Sequence, residues 1–420
     1  MVTPMPPRSI TSQAGPGEQR DTAAPTGRLG AWNSPVTSYY VLTGATALLV
    51  VLGLVMVLSS SSVESLAKGR SPYAEFLKQA QFALMGLPVL WVASRAPVRF
   101  YKAAAWPLLG IAAVLQLAVF SPLGADAVGG NRNWIALGSF TAQPSEAVKF
   151  ALSIWLGVVL ARKRPLLQEW KHALIPVVPV GALMIGLVLI GHDLGTALVM
   201  MLLVGGAMFV AGVPMRMFSV AVSLAVVAAG VLAISSKNRV ARIFSWLSDD
   251  CDVTSDCYQT LHGGWGLATG GWTGIGLGAS REKWSYLPEA HNDFIFAIIG
   301  EELGLIGTLL VLGLFALIAL AMFRVIRRHS DPFVQITTGA IVCWVIGQAL
   351  VNIAVVIGLA PVIGVPLPLV SAGGSALITT MGAIGVVISF ARAEPGAAEA
   401  LAARPSVVRR SLAVIGRTRG

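Results

Sequence analysis

The chain has 420 residues, of which 55% are hydrophobic and 12% charged, with a formal net charge of +10. That balance leaves too little charged surface to keep a protein of this size in aqueous solution, and it excludes an ordinary soluble enzyme. The placement of the basic residues, taken up below, argues against nucleic acid as the partner.

Residues 1–36 are rich in Pro, Gly, Ser, Thr and Arg, bury little, and read as a disordered cytoplasmic tail. Apolar runs then recur from Tyr39 to Phe390, each long enough to cross roughly 30 Å of hydrocarbon. The first lies too far in and runs too long for a cleaved signal, so it reads as a retained helix. Spans are expected near 39–59, 75–93, 103–120, 147–161, 172–190, 194–211, 214–234, 292–323, 334–357 and 370–391. The expected fold is an all-α polytopic membrane protein of about ten helices, with its transmembrane domain at 37–392 and a cytoplasmic tail at 393–420.

Lys and Arg concentrate on alternate connections: Arg95, Arg99 and Lys102; Arg162, Lys163, Arg164 and Lys171; Arg216; Arg324, Arg327 and Arg328. The positive-inside rule makes these cytoplasmic, together with both termini, and anionic lipid adds to the same bias. Ser121–Glu146, Gly191–Asp193, a long connection at about 235–291 between the seventh and eighth helices, and Gly358–Val370 then face outward. Cys251 and Cys257, in "DDCDVTSDCYQT", fall in the long outer connection, where a disulfide and two free thiols both stand as readings. Cys343 lies within a span and reads as a packed small residue.

The unusual chemistry lies on that outer side. In "GGNRNWIALGSFTAQPSEAVKFALSIW", Trp134 suits an interfacial anchor, and Pro144 with Ser145 resembles a helix start capped by Ser. Glu146 and Lys149 follow on one helix face. They read either as a structural ion pair or as a lysine that meets an anionic group, phosphate or pyrophosphate, while the glutamate orients it. In "GHDLGT", Asp193 reads first as a helix cap; with His192 it could instead border a polar cavity or touch a metal. "GGWTGIGLG" (Gly270–Gly278) has the look of a nucleotide loop, but it lacks the Lys-Ser/Thr pair and lies on the wrong side for cytoplasmic ATP.

"LPEAHNDFIFAIIGEELG" crowds Glu289, His291 and Asp293 against a membrane run, with Glu301 and Glu302 farther inside. Asn292 or Asp293 could cap the helix. Acids at such depth usually face a bundle interior or a wet cavity, and a carboxylate at the cavity mouth, Asp293, is a candidate general base. In "GLAPVIGVPLPLVSAGGSAL", prolines and glycines break the helix at the membrane edge. Ser371, Gly373, Gly374 and Ser375 could present N–H groups to an anion, or the segment is a simple re-entrant turn.

These blocks, with "QPSEAVKFA", "DLGTALVM" and "LPLVSAGGSAL", resemble the SEDS family of bacterial envelope proteins (FtsW, RodA and SpoVE) over about residues 40–392. The wording is most similar to the division member of actinobacterial type. The resemblance implies a peptidoglycan glycosyltransferase of the cytoplasmic membrane, at the division septum, that polymerises lipid II and works with a class B penicillin-binding protein and other division proteins. It places the family's essential aspartate on Asp293, its tryptophan on Trp134 and its P-S-E-x-x-K pattern on Glu146 and Lys149. Arg132, Glu289, His291 and the Ser371–Ser375 run join these as expected substrate-binding residues. No cofactor is fixed; a divalent cation, Mg or Mn, is compatible with pyrophosphate chemistry. Two departures stand out: Asn133 where the family often has Arg, and Gly191-His192-Asp193 where it usually writes Q-P-D. A lipid II flippase and a non-catalytic division scaffold are the rival readings.

Overall fold

The computed structural model describes residues 34–402 apart from 126–130, 139, 176, 235–236, 248–256 and 285; the rest of both expected tails lies outside the described residues. Helices α1 (Thr37–Ala67), α2 (Ala74–Arg95) and α3 (Val98–Ala118) precede a small antiparallel hairpin, β1 (Ile135–Leu137) with β2 (Phe140–Ala142). Then come α4 (Pro144–Lys163), α5 (Trp170–Leu174), α6 (Val177–Ile190), α7 (Leu194–Ala211), α8 (Met215–Ile234), α9 (Lys237–Leu247) and α10 (Tyr258–Gly270). The chain continues through α11 (Ile295–Arg328), α12 (Pro332–Val356), α13 (Gly374–Arg392) and the short α14 (Ala397–Ala402).

Among the described residues, nine helical segments are long and apolar enough to span a membrane, α5 and α6 together forming one. The tenth expected span is α8, whose apolar part, Met215–Val231, is shorter. Lipid and protein interior are both apolar, so hydropathy alone does not tell a central helix from a peripheral one. Burial does. In α4, 83% of the apolar window is enclosed, against 22% in α2, so α4 is central and α2 peripheral. With α12 and α13 it forms the middle of the bundle, around buried Leu152, Trp155, Trp344, Ile384 and Phe390. Close approach needs small residues: a Cβ on Gly53 would stand 2.8 Å from the Val370 Cα, so α1 lies directly on the Leu369–Val370 backbone.

Two details go beyond the expected layout. The residues after 392 do not leave the bundle at once: Glu394 and Ala397 are buried, and Gly396 lies against Pro35. The long connection is not only loop, since it holds the amphipathic α9 and a second helix, α10, packed on α11.

The expected continuous eighth span is broken. Gly304 has φ 66° and ψ −162° inside α11, a conformation reserved for glycine. Residues 271–276 fill the break. Leu305 N and Ile306 N donate to Gly271 O (2.9 Å) and Trp272 O (3.2 Å), while Ile275 N and Gly276 N donate to Glu301 O (3.0 Å) and Glu302 O (3.1 Å). "GGWTGIGLG" therefore supplies the backbone pairing that a broken membrane helix lacks. The two buried carboxylates bind the same connection. Glu301 accepts from Ser280 Oγ and, at 2.8 Å, from Arg281 N; Glu302 accepts from Ser59 Oγ at 2.6 Å and Lys283 Nζ at 3.1 Å.

Candidate active site

The stretch His291–Phe294 does not begin α11 as expected. The helix starts at Ile295, Phe294 occupies the cap position, and no side chain caps it, so neither Asn292 nor Asp293 serves as the cap. The segment is held from outside the helix instead. Its three successive carbonyls accept from Ala372 N (His291, 2.9 Å), Ser371 Oγ (Asn292, 2.7 Å) and Asn352 Nδ2 (Asp293, 2.7 Å). This pins the Asp293 main chain while no described residue hydrogen-bonds its carboxylate. The carboxyl faces Gly364, where a Cβ would lie 3.6 Å from Oδ2. Asp293 is half-buried. Desolvation first, then the nearby charges of Glu289 and Asp193, push its carboxyl up to about 7 against the opposing pull of Arg242.

Backbone strain marks the same place. The described non-glycine residues with positive φ are His192 (66°), Glu289 (55°) and Leu369 (66°). One precedes Asp193, one opens the turn into Asp293, and one lies in the connection that binds His291–Asp293. Strain of this kind persists where the surroundings over-determine a local conformation, as they do at functional sites.

Asp193 caps α7, accepting from Thr196 N at 2.9 Å, and also accepts from Gln143 Nε2 at 2.9 Å. Gln143, not Ser145, occupies the cap position of α4, and its N–H donates to Ser375 Oγ at 3.0 Å. The starts of α4, α7 and α13 thus converge beside Asp293. Glu146 and Lys149 lie deeper, as an ion pair of 2.8 Å whose side chains are 3% and 2% exposed. Lys149 also donates to Gln348 Oε1 at 2.9 Å and sits 5.0 Å from the Trp344 ring centroid. Gln348 Nε2 in turn donates to Pro366 O at 2.9 Å.

In the Ser371–Ser375 run several N–H groups are already engaged: Ser371 with Leu367 O, Ala372 with His291 O, and Gly373 with Gln79 Oε1. Gly374 is pressed against the Phe82 ring. Arg132 N donates to Gly191 O at 3.0 Å, and its exposed guanidinium to Ser121 O at 3.4 Å. Trp134 is half-buried, and its carbonyl accepts from Ala125 N. His291 Nδ1 stands 3.2 Å from Glu64 Oε2, and exposed Glu289 accepts from Asn292 Nδ2. The structure therefore gathers Asp293, His291, Glu289, Ser371 and Asp193 at one end of the bundle. It ties Glu146 and Lys149 to that end through Gln348, and leaves Arg132 and Trp134 on the segment leading into the neighbouring hairpin.

Cys257 is disulfide-bonded; Cys251 lies outside the described residues. Among the described residues no three His, Cys, Asp or Glu side chains converge on a metal position. Sequence reasoning passed over Asn352, Gln348, Gln79, Gln143 and Arg242. The first two had a signal: an amide at i and i+4 on one face of an otherwise apolar span is costly unless it is used.

A bundle of apolar helices, one of them broken, with the Asp293 main chain held at one end and no described residue bonded to its carboxylate, defines a polytopic membrane protein. The model of the cell cycle protein family of FtsW, RodA and SpoVE matches residues 40–395, and the chain belongs to that family. It is 41% identical over 394 residues to the probable peptidoglycan glycosyltransferase FtsW of Mycobacterium tuberculosis, covering 93% of this chain and 75% of the relative. It is 36% identical over 351 residues to the corresponding protein of Coxiella burnetii, covering 82% and 94%. A chain from a solved peptidoglycan synthase complex that coordinates polymerization and crosslinking superposes with a TM-score of 0.70 at 26% identity, covering 84% of this chain and 97% of that one. The rod shape determining protein RodA of Thermus thermophilus gives 0.63 at 25%, with the same coverage.

Proposed function

We propose that this protein is a peptidoglycan glycosyltransferase that polymerises lipid II into β-1,4-linked glycan at the outer face of the bacterial cytoplasmic membrane, in septal wall synthesis. The observation that carries this reading is Asp293, a half-buried carboxylate with a pinned main chain, to which no described residue donates a hydrogen bond. It stands in the H-x-D-F position of a family whose relatives bear that activity in their names. Both termini lie in the cytoplasm and the connection at 235–291 lies outside, as the distribution of Lys and Arg supports.

The 4-hydroxyl of the GlcNAc of one lipid II gives its proton to Asp293 as its oxygen attacks C1 of the MurNAc of a second. The C1–phosphate oxygen bond breaks, its electron pair leaves with undecaprenyl pyrophosphate, and inversion produces the β link. A carboxyl that titrates near 7 is well matched to this task. Lys149 is engaged by Glu146 and Gln348, so it acts on the substrate through the Gln348–Pro366 link rather than by contact. Arg132 and Trp134 border the site from the segment before the hairpin. A class B penicillin-binding protein is the partner, a reading supported by the likeness to a chain of a peptidoglycan synthase complex.

The test is polymerisation of labelled lipid II by the purified protein, with and without its penicillin-binding partner, alongside Asp293→Asn. Glycan ladders are expected from the wild type and none from the variant. Absence of ladders from folded, partnered wild-type protein would move the reading to lipid II translocation or a scaffold role.

A further inference from the structure

Inside the arrangement just described, the reaction leaves a chemical need unmet. Breaking the C1–phosphate bond delivers negative charge to a pyrophosphate, and a cation must stand within reach of it. Lys149 is enclosed with Glu146, and Arg132, beside Ser121 O, is not among the charges that act on Asp293.

One cation does flank the catalytic carboxylate. Arg242, on the amphipathic α9, lines a cavity of about 180 Å³ with Ser245, Trp246, Thr260, Gly358 and Val362. The cavity lies between α9, α10 and the connection Gly358–Val362. Arg242 Nη1 reaches Val362 O at a long 3.5 Å, and Trp246 Nε1 donates to Gly358 O at 2.9 Å. Two residues after Val362, Gly364 faces the Asp293 carboxylate. Arg242 and Asp293 therefore flank the same short run of backbone, Val362–Gly364. Arg242 is exposed and pairs with no described carboxylate, so apart from the long contact to Val362 O its donors form a fork that suits phosphate oxygens.

We propose that Arg242 is a further catalytic residue, contacting the pyrophosphate of the lipid-linked donor in the cavity between α9 and Gly358–Val362. There it stabilises the charge released when the C1–phosphate bond breaks. The inference rests on the glycosyltransferase reading and names the part of the site that receives the leaving group. The charges facing Asp293 are Glu289, Asp193 and Arg242; α12 presents only the neutral Asn352 there, and Val356–Val370 has no ionisable side chain. Arg242 is thus the cation of the set. Its removal both strips the leaving group of its partner and weakens the pull that holds Asp293 ionised.

The test uses full-length protein in neutral-lipid nanodiscs, as wild type, Arg242→Ala, Arg242→Lys and Asp293→Asn. Binding of undecaprenyl pyrophosphate is read from the fluorescence of the cavity tryptophan, Trp246, with Trp246→Phe as the blank, and phosphatidylglycerol is titrated in parallel. Arg242→Ala is expected to weaken undecaprenyl pyrophosphate binding by about tenfold or more and to leave the response to phosphatidylglycerol unchanged. Polymerisation should fall by about a hundredfold, with its acid limb moved to higher pH. Arg242→Lys, which keeps the charge but not the fork, should keep the limb in place and recover part of the affinity. Unchanged pyrophosphate binding in Arg242→Ala overturns the proposal, as does an equal loss for phosphatidylglycerol, which would make Arg242 a lipid-surface contact only. Because binding is read without turnover, the outcome separates from failure of the glycosyltransferase reading, which Asp293→Asn and the wild-type ladders decide.

Discussion

The side-chain amide of Asn352 joins Asp293 to Val365: its Nδ2 donates to the carbonyl of the first at 2.7 Å and of the second at 2.8 Å. One nearly buried nitrogen on α12 thereby sets the distance between the candidate base and the connection that faces it. Replacing it with Ala leaves two carbonyls without this donor, at about 1–3 kcal/mol each where water cannot enter. Asn352→Ala should lower kcat for polymerisation by about 10- to 100-fold through misplacement of Asp293, with KM little changed. Initial rates across lipid II concentration check this; a pure KM effect would assign Asn352 to substrate binding instead.

Polymerisation should lose activity as pH falls through about 7, because the base must be ionised and the Asp293 carboxyl is pushed up to about 7. The same shift has a stability sign. The folded value lies above the ordinary 3.8, so the native state binds more protons than the unfolded state between those values. Stability from this group is fully present near pH 4, falls as pH rises to about 7, and stays low above it. Asp293→Asn should therefore unfold at a higher temperature than wild type at pH 8, and the gap should close towards pH 4. A variant no more stable than wild type at pH 8 would remove the desolvation account.

The Glu146–Lys149 pair is enclosed, so losing one partner strands the other's charge, at about 3–5 kcal/mol. Lys149→Met alone and Glu146→Gln alone should each lower the melting temperature clearly. The double variant should be less destabilised than the sum of the two. A double-mutant cycle by thermal unfolding in detergent measures this; strict additivity would mean the pair contributes nothing in common.

Gly304→Ala places a side chain where 2.3 Å separates it from Gly274 N, at a backbone conformation that Ala does not adopt. The expected outcome is release of residues 271–283 from α11, seen as new protease cleavage within that stretch and a lower melting temperature. Protection equal to wild type would show that the break tolerates closure into a regular helix.

The class and the approximate number of spans were legible, because long apolar runs leave a local mark, and Asp293 stood out as a carboxylate beside one of them. Glu301 and Glu302 were legible as buried acids but not in their roles. Their partners, Ser280, Lys283 and Ser59, are set by packing across the chain rather than by spacing. The helix break was hidden for the same reason. Gly304 reads as one more glycine in a membrane helix until Gly271–Gly276 is seen in the gap. Asn352 and Gln348 were available to a closer reading of polar positions in α12. Arg242 was not, because nothing in its own neighbourhood points to Val362 or Asp293.

The clasp of residues 271–283 on the start of α11 bears on how the chain enters its membrane. An acidic residue in the middle of an inserting helix costs about 3 kcal/mol, and this segment carries two in succession, followed by a glycine that breaks it. The groups that satisfy Glu301 and Glu302 lie earlier in the chain, in α1 and in the connection, so they are synthesised first. Insertion of α11 is therefore a docking event onto a platform already delivered. The order in which the ribosome releases these segments is itself part of what allows two carboxylates to cross into the bilayer.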